Sequence, residues 1–149
     1  MTGDRPPHLR WSAIALVVVG GMAGSAARAG LALVIPPVAQ VPLAIAIVNI
    51  VGAFVLGCLY SALAQRGHDD ASSVQLRLLI GTGFCGGFTT YSALAGDTVV
   101  LAVNGAVGAS ILYALGTVLV GALATWAGIV VGIGLRGGRG RTAQGGGPA

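Results

Sequence analysis

The stretch Gly81-Thr82-Gly83-Phe84-Cys85-Gly86-Gly87-Phe88-Thr89-Thr90-Tyr91-Ser92 lies inside an apolar run from Leu78 to Val103 that is interrupted chiefly at Asp97. The run is long enough to cross a bilayer, which takes about 20 apolar residues. Within it, four glycines fall in the seven residues 81–87, and two threonines, a tyrosine and a serine follow close behind. Glycine costs roughly 1 kcal/mol against alanine in a helix interior. The cluster therefore predicts a membrane helix that breaks at its centre, near residue 86. In hydrocarbon a break is tolerated only where the freed amides and carbonyls face protein, an ion or a water-filled cavity. Broken helices at membrane depth are accordingly candidate ion sites.

Outward from this stretch the chain reads as four spans. The first covers about 11–35, with Trp11 suited to the headgroup region and a Gly20-x-x-x-Gly24 spacing that lets helix backbones approach closely. Arg28, toward its far end, reads either as a side chain snorkelling to the interface or as the lining of an anion entrance. A proline-rich turn leads to the second span, about 43–64. Its one strongly polar side chain before Ser61 is Asn49, which reads either as interhelical glue or as part of a polar path. The third span, about 74–103, is too long for one straight crossing and fits two half-helices. After the Asn104-Gly105 turn the fourth span, about 106–135, places Tyr113 and Thr117 four residues apart on one face. Residues 1–10 and 136–149 read as tails, the latter Gly- and Arg-rich and disordered.

Composition agrees: 55% of the 149 residues are hydrophobic and only 8% are charged. The net charge of +4 comes from eight arginines, with no lysine, against four aspartates and no glutamate. The arginines sit mostly in tails and short loops, where they set topology, and no nucleic-acid partner is expected. An even number of crossings puts both termini on one side. Arg5, Arg10, Arg66, Arg77, Arg136, Arg139 and Arg141 all fall on that side, which the positive-inside rule makes cytoplasmic. The first apolar run is too long for the core of a cleavable signal peptide. Cys58 and Cys85, both in apolar segments, read as small buried hydrophobes rather than a disulfide.

Several chemistries are excluded. Gly81-x-Gly83-x-x-Gly86 spells a dinucleotide fingerprint but lacks the strand before it and the acid about 20 residues on. His68 beside Asp69 and Asp70 reads as a solvated loop rather than a metal site. No serine has a matching histidine and acid, so no enzymatic activity is expected.

Gly83-Phe-Cys-Gly-Gly-Phe-Thr-Thr-Tyr-Ser92 resembles the third-helix signature of the Fluc (CrcB-type) fluoride channel family. Gly20-Gly-Met-Ala-Gly-Ser-Ala-Ala-Arg28 and Asn49-Ile-Val-Gly-Ala-Phe-Val-Leu-Gly57 resemble its first and second spans, in order. The resemblance implies an all-α polytopic fold, with four membrane helices paired as an antiparallel dimer in the plasma membrane. Its implied function is passive, fluoride-specific conduction out of the cytoplasm. It further implies a structural sodium ion, not transported, at the dimer centre on the main-chain carbonyls of Gly86 and Thr89. Asn49 matches the family's pore-facing asparagine, and Thr90, Ser92, Tyr113 and Thr117 are further candidate donors.

Two departures stand out. After the paired threonines the family carries two phenylalanines whose ring edges face the anion. Here those positions are Tyr91 and Leu94, so one ring is gone. The arginine bias also fixes a single orientation, which predicts pairing with an oppositely oriented paralogue rather than with a second copy. The alternatives are a small multidrug-type four-helix transporter or a non-conducting membrane partner subunit. The transporter reading suffers from the absence of any glutamate and of any acid on the first span.

Overall fold

The computed structural model describes residues 11–38, 41–64 and 70–141, with side chains as far as Gly134. All of its long elements are helices. Helix α1 (Trp11–Val34) leads into a turn closed by paired hydrogen bonds between the Val38 and Val41 backbones, and α2 (Leu43–Leu63) follows. The third crossing is composite. It begins as α3 (Ala71–Leu76), widens into a π-helical segment (Arg77–Cys85), and closes with one α-turn, α4 (Gly86–Phe88). Thr89 and Thr90 are extended, and α5 (Tyr91–Val103) completes the crossing. Gly105 takes the turn at φ 83°, a conformation open to glycine. Helix α6 (Val107–Arg141) runs back, so the first residues of the expected tail are helical. Four stretches are long and apolar enough to span a membrane: Trp11–Val34, Leu43–Leu63, Ala71–Val103 and Val107–Gly134.

The break, expected near residue 86, begins two residues beyond the glycine cluster, at Thr89. Gly86 is helical, at φ −64° and ψ −35°, and its amide still bonds the Gly83 carbonyl. The glycines serve packing instead of unwinding. A Cβ on Gly20 would strike the Leu79 carbonyl, one on Gly24 the Phe84 carbonyl, and one on Gly87 the Gly21 carbonyl. These interlocks seat α1 against the π segment and α4. Between membrane helices, where apolar burial gives little drive, such close backbone approach supplies the attraction. On the other side α2 packs along α6 the same way, Gly128 lying against the Phe54 carbonyl and Gly57 against that of Thr125.

The buried apolar cluster is small, formed by Leu94, Leu101 and Tyr113 with Val41 and Ile45 packed against it. Large apolar side chains such as Leu112, Leu119 and Trp126 are exposed along α6, as expected of surfaces meeting lipid or another subunit. Asp70 caps α3: its carboxylate accepts from the Ser73 amide at 3.2 Å and from the Ser72 and Ser73 hydroxyls at 2.8 and 2.7 Å. Both cysteines are free thiols. His68 and Asp69 lie outside the described residues.

Candidate functional site

The break at Thr89–Thr90 is held open by a side chain from α2. Asn49 Oδ1 accepts the Thr90 amide at 2.8 Å, and Asn49 Nδ2 donates to the Thr90 carbonyl at 3.1 Å. Both main-chain groups of Thr90 are thus taken by one carboxamide, in place of the helical ladder. One turn along the same face of α2, Gly52 makes room for Thr89, whose Cγ2 occupies the space a Cβ would need. Asn49 and Gly52 together form a cradle for the extended pair. Asn49 therefore acts as glue within the subunit and also lines the adjoining cavity.

The two threonines finish the helix ends. Thr89 returns its amide (2.9 Å) and hydroxyl (2.8 Å) to the Cys85 carbonyl, closing the last turn of the first half. Thr90 is the N-cap of α5: its Oγ1 accepts from the Ala93 amide at 3.3 Å and lies 3.2 Å from Ser92 Oγ.

The capping leaves specific groups free. The amide that would bond the Gly86 carbonyl in a continuous helix belongs to Thr90 and goes to Asn49. The amide that would bond the Thr89 carbonyl belongs to Ala93 and goes to Thr90 Oγ1. Both carbonyls thus lose their helical donors. Gly86 is exposed, with nothing within 4 Å of a would-be Cβ, so its face of the crossing is open. On the other side of the break, the Tyr91 and Ser92 amides begin α5 at the positive end of its dipole.

The predicted site residues gather in part. Asn49, Thr89, Thr90, Tyr91, Leu94 and Thr117 line one cavity of about 320 Å³ between α2, the break, α5 and α6. Tyr91 is 82% exposed, whereas Leu94, at the other aromatic position, is buried in the subunit core. Thr117 is buried, and its hydroxyl donates to the Tyr113 carbonyl at 2.6 Å. The Tyr113 hydroxyl sits 3.3 Å from Asp97 Oδ2 and 3.5 Å from the Pro42 carbonyl. Tyr113, which does not border the 320 Å³ cavity, and Thr117 line a neighbouring, almost wholly apolar cleft of about 300 Å³. Arg28, half-buried on α1, does not border the 320 Å³ cavity.

Gly52 and Ser25 escaped the sequence reading. Ser25 Oγ donates to the Gly87 carbonyl at 3.4 Å, meeting another last-turn carbonyl of the first half. The Asn49-x-x-Gly52 spacing carried a signal, since residues three apart share a helix face. Nothing about Ser25 set it apart from the small residues around it.

What the cavity and the start of α5 beside it offer is hydrogen-bond donors, although Ser92 itself does not border the cavity. Asn49 Nδ2 carries a second N–H beyond the one given to Thr90. Of the Thr90 and Ser92 hydroxyls one donates to the other, which leaves one proton unused. With the first amides of α5, this is a set suited to a small, hard anion. Among the described residues no three His, Cys, Asp or Glu side chains cluster as a metal site.

The family described as CrcB-like protein, Camphor Resistance (CrcB), matches residues 15–129. The fluoride-specific ion channel FluC 2 of Leifsonia xyli is 49% identical over 127 residues, covering 85% of this chain and 88% of that protein. The fluoride-specific ion channel FluC of Gloeobacter violaceus is 44% identical over 116 residues, covering 76% and 90%. The fluoride-specific ion channel FluC 1 of Cutibacterium acnes is 40% identical over 124 residues, covering 83% and 84%.

Proposed function

The chain belongs to the CrcB family, and we propose that it forms a passive, fluoride-specific pathway that lets fluoride leave the cytoplasm. The observation that carries this reading is the backbone break at Thr89–Thr90, bracketed by Asn49 at membrane depth and bordered by donors. Fluoride is small and tightly hydrated. A pore must replace its water with N–H and O–H groups and keep competing carboxylates away. The spare Asn49 N–H, the Thr90–Ser92 hydroxyl pair and the first turn of α5 supply such donors, and the α5 dipole adds a favourable field. Tyr91, exposed at the rim, presents a ring whose edge is positive.

The donor chemistry around the break also fits a structural sodium ion. A hard cation prefers oxygen ligands, and the Gly86 and Thr89 carbonyls have lost their helical donors to Asn49 and Thr90. Gly86 lies on an open face, so a partner's carbonyls can meet it there. Bound at that point, the ion would supply fixed positive charge that offsets converging carbonyl dipoles and favours an anion nearby.

The working assembly in this reading is an antiparallel dimer in the plasma membrane, with both termini of this chain cytoplasmic. The partner is an oppositely oriented paralogue, as the one-sided arginines support. Leu94 fits such a pair, because one wall of a two-subunit pore can lose a ring while the other keeps it.

Fluoride-electrode recording of efflux from liposomes tests the proposal. The chain co-reconstituted with a neighbouring paralogue should empty fluoride-loaded vesicles and leave chloride-loaded ones full. Full activity from the lone chain would remove the paralogue. No fluoride flux from either preparation would remove the channel.

A further inference from the structure

The third crossing is tied to α2 at two points, one at the first residue of the π-helical segment and one past its end, beyond α4. Past that end Asn49 grips the Thr90 backbone. At the first residue of the segment, half-buried Arg77 donates from Nη2 to the Leu63 carbonyl, the last of α2, at 3.0 Å. Helix α2 and the third crossing run antiparallel, so Asn49 and Leu63 on α2 face Thr90 and Arg77 in turn. Among the described residues Arg77 Nε is occluded and has no hydrogen-bond partner, so the guanidinium is held at this point by its Nη2 bond to Leu63.

We propose that Arg77 is a positioning residue for the ion path: its tie to Leu63 and the Asn49 clamp on Thr90 fix the two ends of the stretch that contains the π-wound residues 77–85, and so hold that winding. That winding in turn sets which way the Thr89–Thr90 break faces. The i→i+5 bonds of a π-helix place more residues in each turn than an α-helix does. Rewinding as α would turn everything beyond it, at about 100° for each residue shifted. Gly86 and Thr89 would swing away from their present faces, and Thr90 could not keep Asn49 while Arg77 kept Leu63. Interlocks such as Gly83 against the Val17 carbonyl, at 2.8 Å from a would-be Cβ, resist the same rotation from the α1 side. The link between this register and conduction rests on the fluoride-channel reading above; the link between Arg77 and the register does not.

Three variants test it in the conducting assembly: Arg77→Gln, Arg77→Lys, and Arg77→Gln combined with deletion of Thr82, an exposed residue in the middle of the π segment. Fluoride efflux and amide hydrogen exchange are read on each. Arg77→Gln should lower efflux at least tenfold and speed exchange across residues 77–90 while α6 exchanges as before. Arg77→Lys keeps a donor for Leu63 and should stay within about threefold of the parent in both readouts. Deleting Thr82 takes one residue out between the two ties, so an α winding would then keep both, and added to Arg77→Gln it should bring efflux back to within about threefold of the parent. If Arg77→Gln fails to insert, Arg77→Lys decides the matter: a tenfold loss of efflux there, although a donor for Leu63 remains, would overturn the proposal. Lost efflux with unchanged exchange in Arg77→Gln, or no recovery on deleting Thr82 from it, would overturn it as well. A parent protein that conducts no fluoride would instead count against the proposed function, and the exchange data would still decide the role of Arg77.

Discussion

Replacing Asn49 with leucine keeps the side-chain volume roughly constant and strips both hydrogen bonds from the Thr90 backbone. An amide and a carbonyl are then left unpaired in a half-buried setting, at about 1–3 kcal/mol for each group. The break should collapse or re-pair, and fluoride efflux should fall by more than tenfold. Aspartate is the sharper probe, because its carboxylate still accepts from the Thr90 amide but cannot donate to the Thr90 carbonyl. Asn49→Asp should therefore lose efflux while keeping more of the thermal stability than the leucine variant, as measured on detergent-solubilised protein. Equal stability of the two variants would mean that the clamp contributes nothing to holding the break. An observer of the sequence could see that Asn49 was polar at membrane depth. That its partner is backbone forty-one residues away depends on the antiparallel approach of α2 to the third crossing.

For the elements, the interlock of α1 with the π segment and α4 makes a different prediction. Gly24 sits beneath the Phe84 carbonyl with no space for a Cβ, so Gly24→Ala must push the helices apart. Overpacking of this kind typically costs about 1–3 kcal/mol, and the apparent melting temperature should drop accordingly. Gly96→Ala, in open space on α5, should leave the melting temperature unchanged. The start of α3 gives a pH prediction. Hydrogen bonds from Ser73 and Ser72 hold the Asp70 carboxyl below the ordinary aspartate value of 3.8. A depressed value in the folded state means the cap is stabilising above the ordinary range and is lost as pH falls through the folded value. Exchange at the amides of the first turn of α3 should therefore be independent of pH, after correction for intrinsic rates, from neutrality to about pH 4. Below that the turn should fray, and Asp70→Ala should fray it at every pH. In the sequence Ser72 or Ser73 reads as the cap of this helix; the structure gives the role to Asp70, to which both hydroxyls donate. The π winding had no such signal, since glycine-rich apolar residues satisfy α and π geometry alike.

On the scale of the whole molecule, the arginines predict a single orientation. Cysteines introduced at the first residues and in the C-terminal tail should both be labelled from the cytoplasmic face only, and one in the Asn104-Gly105 turn from the opposite face. Comparable labelling of each site from both faces would make the lone chain a dual-topology protein and restore the homodimer. The open face at Gly86 would meet lipid at a cost, because the Thr90 amide that a continuous helix would give to the Gly86 carbonyl goes to Asn49 instead. The partner proposed above would cover that face, and cross-linking of a cysteine placed beside Gly86 to a second chain is the expected outcome.

The four crossings and their order were determined by the sequence alone, because apolar run length acts locally; the glycine cluster pointed to a break in the third crossing, although the structure uses those glycines for packing. Membership of the channel family was legible for the same reason: its signatures are short and contiguous. The exact place of the break, the π winding before it and the bracket from Asn49 were decided only by the tertiary structure. Glycine permits unwinding but does not require it. The break went to Thr89–Thr90 because a carboxamide on another helix was positioned to take the backbone bonds there, while the glycines were drawn into contact with α1.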